Sequence, residues 1–210
     1  MVLLASPAIM SSRRSVVTTT CTCGHRSWNA ISSSGSTNTG AVDPLRDIAA
    51  IAREHDLWVH VDGAIGASVL LTKYRGLLDG VELADSLSWD AHKWLFQTYS
   101  CGLVLVRDEH KLLASFSTHP EYLKDLEEGA RVTNPWDMGP ELTRPARGLK
   151  LWFSLQVMGS DALSAAVEHG FDLVHWAQDE MLKNPMIEIV APAQMAMVNF
   201  RYNPQGLSEA

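Results

Sequence analysis

The chain has 210 residues, of which 46% are hydrophobic and 20% charged, enough apolar material for one substantial core and the beginning of a second. Its net charge is −7, and this acidic balance argues against nucleic acid as a partner. No run of about 18 apolar residues is present, which excludes a membrane-spanning helix and a membrane partner. Three cysteines are too few for a disulfide framework in a chain of this size, so we expect a cytoplasmic protein.

The opening segment, residues 1–34, differs in composition from the rest. The first acidic residue is Asp43, and the residues before it are rich in Ser and Thr and include only three arginines. Organelle transit peptides share this composition, but no amphipathic stripe accompanies the arginines, so a flexible or misdefined start is the favoured alternative. Cys21, Cys23 and His25 are interpreted as incidental, because a structural zinc site needs four ligands. We therefore predict an atypical, disordered segment and no metal site.

A helix followed directly by a buried strand is predicted from Asp43 onward. Asp43 suits the N-cap of a helix and Pro44 its first position, and apolar residues recur at helical spacing to about Asp56. The β-branched and aromatic run 57–61 then predicts a buried strand that ends at Asp62. Two more strands are predicted, over residues 85–89 and 102–106. This order of elements indicates an α/β unit.

The second half of the chain predicts helices and a separate antiparallel element. A helix is expected over 109–116 and a long loop over 119–140. Helical spacing resumes within 141–159 after an interruption by Pro145, and Asp161 is expected to cap a further helix that runs to Met181. Two strands are predicted to pair at the end, over residues 187–190 and 197–201.

Two charged residues follow predicted strands, at the edge where open α/β sheets bind ligands. Asp62 ends the run 57–61, and a carboxylate at a partly buried edge needs a cationic partner, such as the ring nitrogen of pyridoxal phosphate. Lys93 lies between Trp89 and Trp94, and an apolar surround favours the neutral amine that attacks an aldehyde. Alone, Asp62 is an ordinary turn residue and Lys93 an ordinary surface lysine. Together they favour a cofactor site.

Several motifs in order resemble the group II pyridoxal-phosphate-dependent amino acid decarboxylases, which belong to the fold type I aminotransferase superfamily. Residues 60–64, His-Val-Asp-Gly-Ala, are similar to the family's HVDAA, and residues 90–94, Asp-Ala-His-Lys-Trp, to its NPHKW. Weaker matches support these two, at residues 35–37, 43–45, 120–123 and 149–153. The resemblance runs from about Gly35 to Arg201.

The resemblance implies an α/β fold and a division into domains. Residues 35–135 are expected to form part of the large domain of a fold type I PLP-dependent transferase, with a mostly parallel sheet. Residues 136–210 are expected to begin an α+β small domain. In the family a long segment that holds part of the cofactor site precedes the Gly-Ser-Thr region, and here it is absent, so we expect a truncated chain. The resemblance also implies a homodimer.

The same resemblance assigns roles to individual residues. Lys93 is expected to form the Schiff base with the aldehyde of pyridoxal 5'-phosphate, and Asp62 to keep the ring nitrogen protonated. Ala64 would pack against one face of the ring, and Thr37 would line its polar edge. His92 would bind on the phosphate side, with a core histidine bonded to backbone as the alternative.

Two further positions complete the expected site. Tyr122 matches the tyrosine of a mobile loop that, in the family, reaches a neighbouring subunit's active site and protonates the substrate carbon; an ordinary loop aromatic is the alternative. Asp90 stands where the family usually has Asn, and places a negative charge near the cofactor's phosphate.

The implied function is the decarboxylation of an L-amino acid, with aromatic amino acids mildly favoured as substrates. Asp62 and Lys93 serve the whole superfamily, so an aminotransferase or another lyase is one alternative. The decarboxylase assignment depends on the sequence around Lys93 and on Tyr122. A catalytically inactive fragment that lacks half of the cofactor site is the other alternative.

Overall fold

The computed structural model describes residues 16–22, 25–116 and 135–204, with side chains from Ala30 onward. The described strands are β1 (Val16–Thr22), β2 (His25–Ser33), β3 (Trp58–Asp62), β4 (Ser86–Asp90), β5 (Gly102–Val106), β6 (Ile187–Gln194) and β7 (Met197–Tyr202). The described α-helices are α1 (Leu45–Glu54), α2 (Glu109–Phe116) and α3 (Gly148–Leu182). Within the described ranges, four short 3-10 helices join them, at Gly66–Leu71, Arg75–Leu78, Val81–Leu83 and Pro135–Met138.

Strands β1 to β5 form one mixed sheet in the order of the sequence. The three central strands, β2, β3 and β4, run in parallel, whereas β1 and β5 pair antiparallel at the two edges. Strands β6 and β7 form a separate antiparallel hairpin. The predicted α/β fold is therefore confirmed, and three of the five strands of the main sheet share one direction.

The core of the sheet lies between its central strand and helix α1. Val59 and Val61 of β3 are buried, as are Leu45, Ala49 and Ala52 of α1. These α1 positions recur at helical spacing, so they present one apolar face to the sheet. The alternate residues of β3 leave that core and face the other side of the sheet, where the candidate site lies.

Asp43 does not cap helix α1 as predicted. The helix begins at Leu45, its N-cap is Pro44, and no side chain caps it. The Asp43 carboxylate instead accepts hydrogen bonds from the Ser32 hydroxyl at 3.0 Å and the Ser33 amide at 2.8 Å. The Asp43 amide also donates to the Ser33 carbonyl oxygen at 2.9 Å, which holds the residue beside the end of β2. The carboxylate therefore reaches back to the sheet and not forward to the helix.

Part of the opening segment belongs to the sheet, contrary to the prediction of disorder over residues 1–34. Strands β1 and β2 lie in this segment, and β2 pairs in parallel with β3. Ala30, Ser32 and Ser34 are buried. The serine-rich composition of β2 hides this strand from a search for apolar runs, although the buried Ser32 hydroxyl is satisfied by the Asp43 carboxylate.

Helix α3 is divided at Gly159, which has a left-handed, non-helical backbone (φ 79°, ψ 164°). Two helical segments were predicted there, and this division is confirmed. The second segment buries Leu163, Val167 and Phe171, and Phe171 packs on Trp94 and Tyr74 with ring centroids 5.5 and 4.3 Å apart. Within the described parts of the chain, no helix combines the length and apolarity that crossing a bilayer requires.

Replacement of Gly66 by Ala should destabilise the fold. A Cβ atom at Gly66 would lie 1.6 Å from the carbonyl oxygen of Ser34, and a backbone atom cannot move aside as a side chain can. We expect Gly66→Ala to lower the free energy of unfolding by about 1–3 kcal/mol or more, measured by urea denaturation. Gly76→Ala is the control, because a Cβ there meets nothing within 4 Å. Equal midpoints for the two variants would contradict this packing.

Candidate functional site

The candidate site lies where the parallel strands β3 and β4 end. In their register Asp62 is opposite Ser88, and Asp90 lies two residues beyond Ser88 on the same strand. Because side chains alternate along a strand, Asp62, Ser88 and Asp90 share one face of the sheet. This face is opposite to the one that carries Val61 into the core.

The Asp62 carboxylate is exposed, more so than the partly buried edge predicted for it. Its Oδ1 accepts hydrogen bonds from the Ala64 amide at 3.0 Å and from the Ser88 hydroxyl at 3.3 Å. Among the described residues, its Oδ2 has no hydrogen-bond partner. The carboxylate is therefore oriented by one oxygen, and the other is available to a cationic ligand.

A tight turn after β4 carries Lys93. The Lys93 amide donates to the Asp90 carbonyl oxygen at 3.0 Å, and the Asp90 amide donates to the Ala64 carbonyl oxygen at 3.2 Å. These bonds tie the turn to the segment that follows Asp62. The Lys93 Nζ atom forms an ion pair with Asp90 Oδ2 at 3.0 Å, and 40% of the Lys93 side chain is exposed. The amine therefore faces the same side of the sheet as Asp62.

The apolar surround predicted for Lys93 is present on one side, since Ile65, Trp94, Ala196 and Met197 line the cavity beside it, while its amine pairs with the Asp90 carboxylate. Trp89 alternates to the opposite face of β4, where its indole donates to the Ser68 hydroxyl at 3.0 Å. Trp94 is buried and packs on Phe171. Trp89 therefore belongs to the packing beneath the site, whereas Trp94 also lines the cavity beside Lys93, and the ion-pair partner of the amine is a carboxylate.

His92 is held by the backbone on one side of its ring and faces Asp90 on the other. His92 Nδ1 lies 3.0 Å from the carbonyl oxygen of Cys101 and 3.2 Å from its amide nitrogen, so the tautomer decides which bond forms. His92 Nε2 lies 3.8 Å from Asp90 Oδ2. The ring of Tyr99 meets His92 edge-on, with centroids 4.8 Å apart. The nitrogen available to a ligand is therefore Nε2.

Beside Lys93 there is a cavity of about 360 Å³, lined by Ile65, Lys93, Trp94, Ala196 and Met197. Its wall thus combines the turn after β4 with the connection between β6 and β7. A cavity of similar volume lies at the opposite end of β3 and β4, lined by residues that include Arg53, Asp85 and Arg107. It is remote from Lys93, and we do not assign the site to it.

The remaining predicted site residues differ in how the structure relates them to Asp62 and Lys93. Ala64 is bonded through its backbone to both Asp62 and Asp90. Thr37 is exposed in a turn, and no hydrogen bond joins its side chain to any residue that the structure describes. Tyr122 lies outside the described residues, so its predicted role stays a prediction. Across the described ranges, no group of three His, Cys, Asp or Glu side chains is placed to hold a metal ion.

Two residues that sequence reasoning missed belong to this face. Ser88 orients the Asp62 carboxylate, and Ser86 lies opposite His60, where its hydroxyl is 2.8 Å from His60 Nδ1 and accepts from the Trp58 indole at 2.9 Å. The alternation of Ser86, Ser88 and Asp90 along one strand was the available signal. It becomes informative only when the register with β3 is known.

The residues present fit pyridoxal phosphate. An exposed primary amine beside a cavity and a carboxylate with a free oxygen share one face of the sheet. The segment that follows Asp62 begins with two small residues, Gly63 and Ala64, and a Cβ at Gly63 would meet Leu87 Cδ1 at 2.6 Å. The backbone is therefore packed closely beneath the site.

Burial lowers the pKa of His60 below its ordinary value near 6.5, while the neighbouring Asp62 carboxylate acts in the opposite direction. The unfolded chain therefore takes up a proton at this imidazole at higher pH than the folded chain. As the pH falls through 6.5, the free energy of unfolding should decrease until the folded form is also protonated. We expect His60→Gln to flatten the decrease between about pH 7 and 5, measured by urea denaturation. The exposed His55→Gln should leave it unchanged, and an unchanged slope in His60→Gln would contradict this account.

Comparison with known proteins gives one consistent result. The family model described as "Pyridoxal-dependent decarboxylase conserved domain" matches residues 9–203. The similarity therefore begins upstream of Gly35, the residue from which the motifs predicted the resemblance. Aromatic-L-amino-acid decarboxylase from Bacillus atrophaeus is 40% identical over 189 residues, which are 89% of this chain and 39% of that protein.

Two solved structures share the fold. The Oryza sativa TDC structure with PLP and tryptamine has a TM-score of 0.76 at 36% identity, and it covers 82% of this chain and 36% of that one. The mouse CSAD structure has a TM-score of 0.76 at 32% identity, over 83% and 36% of the two chains. The chain thus spans less than two fifths of the length of these relatives. The predicted cofactor, pyridoxal phosphate, is confirmed at the level of the family. By the match over residues 9–203 and these relatives, the chain belongs to the pyridoxal-dependent decarboxylase family.

Proposed function

We propose that this protein is a pyridoxal-phosphate-dependent carboxy-lyase that decarboxylates an L-amino acid. The observation that supports it most directly is the placement of Asp62 and Lys93 on one face of the sheet, at the carboxyl ends of two parallel strands. Family membership adds the reaction class. The name of the Bacillus atrophaeus relative favours an aromatic amino acid as substrate.

Lys93 and Asp62 are the central residues of this proposal. Lys93 is the point of covalent attachment for the cofactor's aldehyde carbon. Asp62 Oδ2, which has no hydrogen-bond partner among the described residues, would accept the N–H of the cofactor's ring nitrogen and so keep that proton in place. When bound, the cofactor supplies a ring that accepts the electron pair left on the substrate carbon as carbon dioxide departs. Ser88 and the Ala64 amide orient the carboxylate for this task through its other oxygen.

Four further residues are proposed to hold the cofactor. Ala64 packs on one face of the ring, where its small side chain allows close approach. His92 donates from Nε2 to the phosphate, because its Nδ1 is occupied by the Cys101 backbone. Thr37 lines the polar edge, which requires its exposed turn to face the ring. Asp90 borders the phosphate side.

Tyr122 is proposed to deliver the proton that completes the reaction. After carbon dioxide leaves, a proton must reach the substrate carbon and not the cofactor's own aldehyde carbon, since the second outcome gives transamination. A tyrosine hydroxyl brought over the site by a loop is a suitable donor for this step. In the family the loop serves a neighbouring subunit, so this proposal also requires a homodimer.

The homodimer and the cytoplasmic location belong to the same proposal. The first segment of α3 exposes Leu149, Trp152, Phe153 and Val157, with 83% of Val157 accessible. Large contiguous apolar surfaces of this kind are commonly buried against a partner.

Cys101 is buried as a free thiol, as expected in a reducing compartment.

Lys93→Ala should abolish covalent capture of the cofactor. The purified chain is incubated with pyridoxal phosphate, reduced with borohydride and dialysed, and the modified peptide is identified by mass spectrometry. We expect the label on Lys93 in the wild type and none at this position in the variant, because no other amine adjoins the cavity among the described residues. Lys183→Ala, which removes an exposed paired amine, is the control and should keep the label. An aldehyde-dependent absorbance band that survives in Lys93→Ala would exclude the assignment, and absence of label in the wild type would mean that this chain alone binds no cofactor.

Tyr122→Phe should redirect the products in any preparation that forms amine. Removal of the hydroxyl removes the proposed proton donor, so amine formation should fall by about 10²-fold or more while a ketone or aldehyde by-product rises. Chromatography of the products measures both. Tyr202→Phe, on the outer face of the β6–β7 hairpin, is the control. An unchanged amine yield with no carbonyl by-product would remove Tyr122 from the mechanism.

A further inference from the structure

One carboxylate oxygen at the candidate site lies close to two basic side chains. Asp90 Oδ2 lies 3.0 Å from Lys93 Nζ and 3.8 Å from His92 Nε2. The other oxygen, Oδ1, faces Gly102, where a Cβ atom would lie only 3.1 Å away. A glycine directly opposite Asp90 in the strand pair therefore leaves the room that the carboxylate occupies.

The backbone fixes the position of this carboxylate. The Asp90 amide donates to Ala64, its carbonyl accepts from Lys93, and the His92 amide donates to the Cys101 carbonyl oxygen at 3.1 Å. Asp90, His92 and Lys93 thus belong to one rigid turn, and their side chains meet without a rearrangement of the main chain. The exposed fractions are 26% for Asp90 and 15% for His92, so the pair is only partly screened by solvent.

Among the described residues, the other polar groups near Lys93 do not pair with its amine. Asp62 directs its Oδ1 to Ser88 and Ala64. The hairpin connection contributes only Ala196 and Met197 to the cavity, and the Lys150 amine of α3 donates to the carbonyl oxygens of Thr98 and Ser100. Tyr99 meets the His92 ring. Within the described residues, Asp90 is the carboxylate that is paired with Lys93.

We propose that Asp90 is a positioning residue whose carboxylate competes with an anionic ligand for Lys93 and His92. The carboxylate bridges these two side chains and holds the amine beside the cavity. It must release both side chains when a phosphorylated aldehyde enters. The identity of the ligand rests on the proposed function, whereas the bridge from Asp90 to Lys93 and His92 does not depend on it. A carboxylate at this position repels a phosphate placed beside His92 Nε2, whereas an amide would not. The family's usual Asn would therefore bind the same ligand without this competition.

The first arm of the test measures the bridge without any cofactor. The full chain is acetylated briefly at neutral pH with N-hydroxysuccinimide acetate, and the extent of labelling at Lys93 is divided by that at Lys183. Lys183 is a suitable internal reference because it pairs with Glu180 at the same i,i+3 spacing on the surface. We expect Asp90→Asn to raise this ratio about two- to fivefold, the range for loss of a partly exposed ion pair. Glu180→Gln should instead lower it.

The second arm compares two aldehydes that differ only in the phosphate. Borohydride trapping at Lys93 is measured over a concentration series of pyridoxal phosphate and of pyridoxal. We expect Asp90→Asn to improve half-maximal trapping of the phosphorylated aldehyde by a larger factor than that of pyridoxal. Asp90→Ser is the second variant, for use if the Asn chain does not fold, as judged by circular dichroism.

The outcomes separate this proposal from the proposed function. An unchanged labelling ratio in both Asp90 variants would overturn the bridge, and equal changes for the two aldehydes would overturn the competition with phosphate. If the labelling ratio rises but no chain traps either aldehyde, the bridge holds, while the competition and the proposed cofactor binding of this chain both fail.

Discussion

The parallel pairing of β3 with β4 is the constraint on which the candidate site depends. It places Asp62 opposite Ser88 and two residues short of Asp90, so that polar side chains from two strands collect on one face at one edge of the sheet. The opposite face of β3 is occupied by Val59 and Val61 in the core. A shift of one residue in this register would reverse the faces of the shifted strand and carry its carboxylate to the core side.

Close backbone contacts behind this edge keep the two strands in place. The end of β2 meets Gly66, where an added Cβ would lie 1.6 Å from the Ser34 carbonyl oxygen, and a Cβ at Gly63 would lie 2.6 Å from Leu87 Cδ1 of β4. Met195 of the hairpin is buried against the same region. The site therefore lies on a rigid support drawn from both the sheet and the hairpin, and its charged side chains project from fixed main chain.

Electrostatics distinguish the two carboxylates on this face. Asp62 is oriented by neutral donors and keeps one oxygen without a partner among the described residues, which suits it to a cationic ligand. Asp90 already has Lys93 and His92 as basic neighbours within its own turn. The same chemical group therefore takes different roles because the turn after β4 returns Lys93 to Asp90, whereas the segment after Asp62 brings only small residues and backbone amides.

Local patterns in the sequence determined the elements around the site. The strands predicted over 57–61, 85–89 and 102–106 agree with β3, β4 and β5 to within one residue at either end. The helix over 109–116 was predicted correctly, and residues 60–64 and 90–94 identified the family before any coordinates. These features depend on neighbours along the chain, so the sequence alone contains them. The serine-rich β2, the Asp43 contact with its end, the exposure of Asp62 and the pairing of Lys93 with Asp90 were decided by the tertiary structure. Each depends on which strand lies beside which and in what register, and that is settled by burial of the shared core and not by local composition.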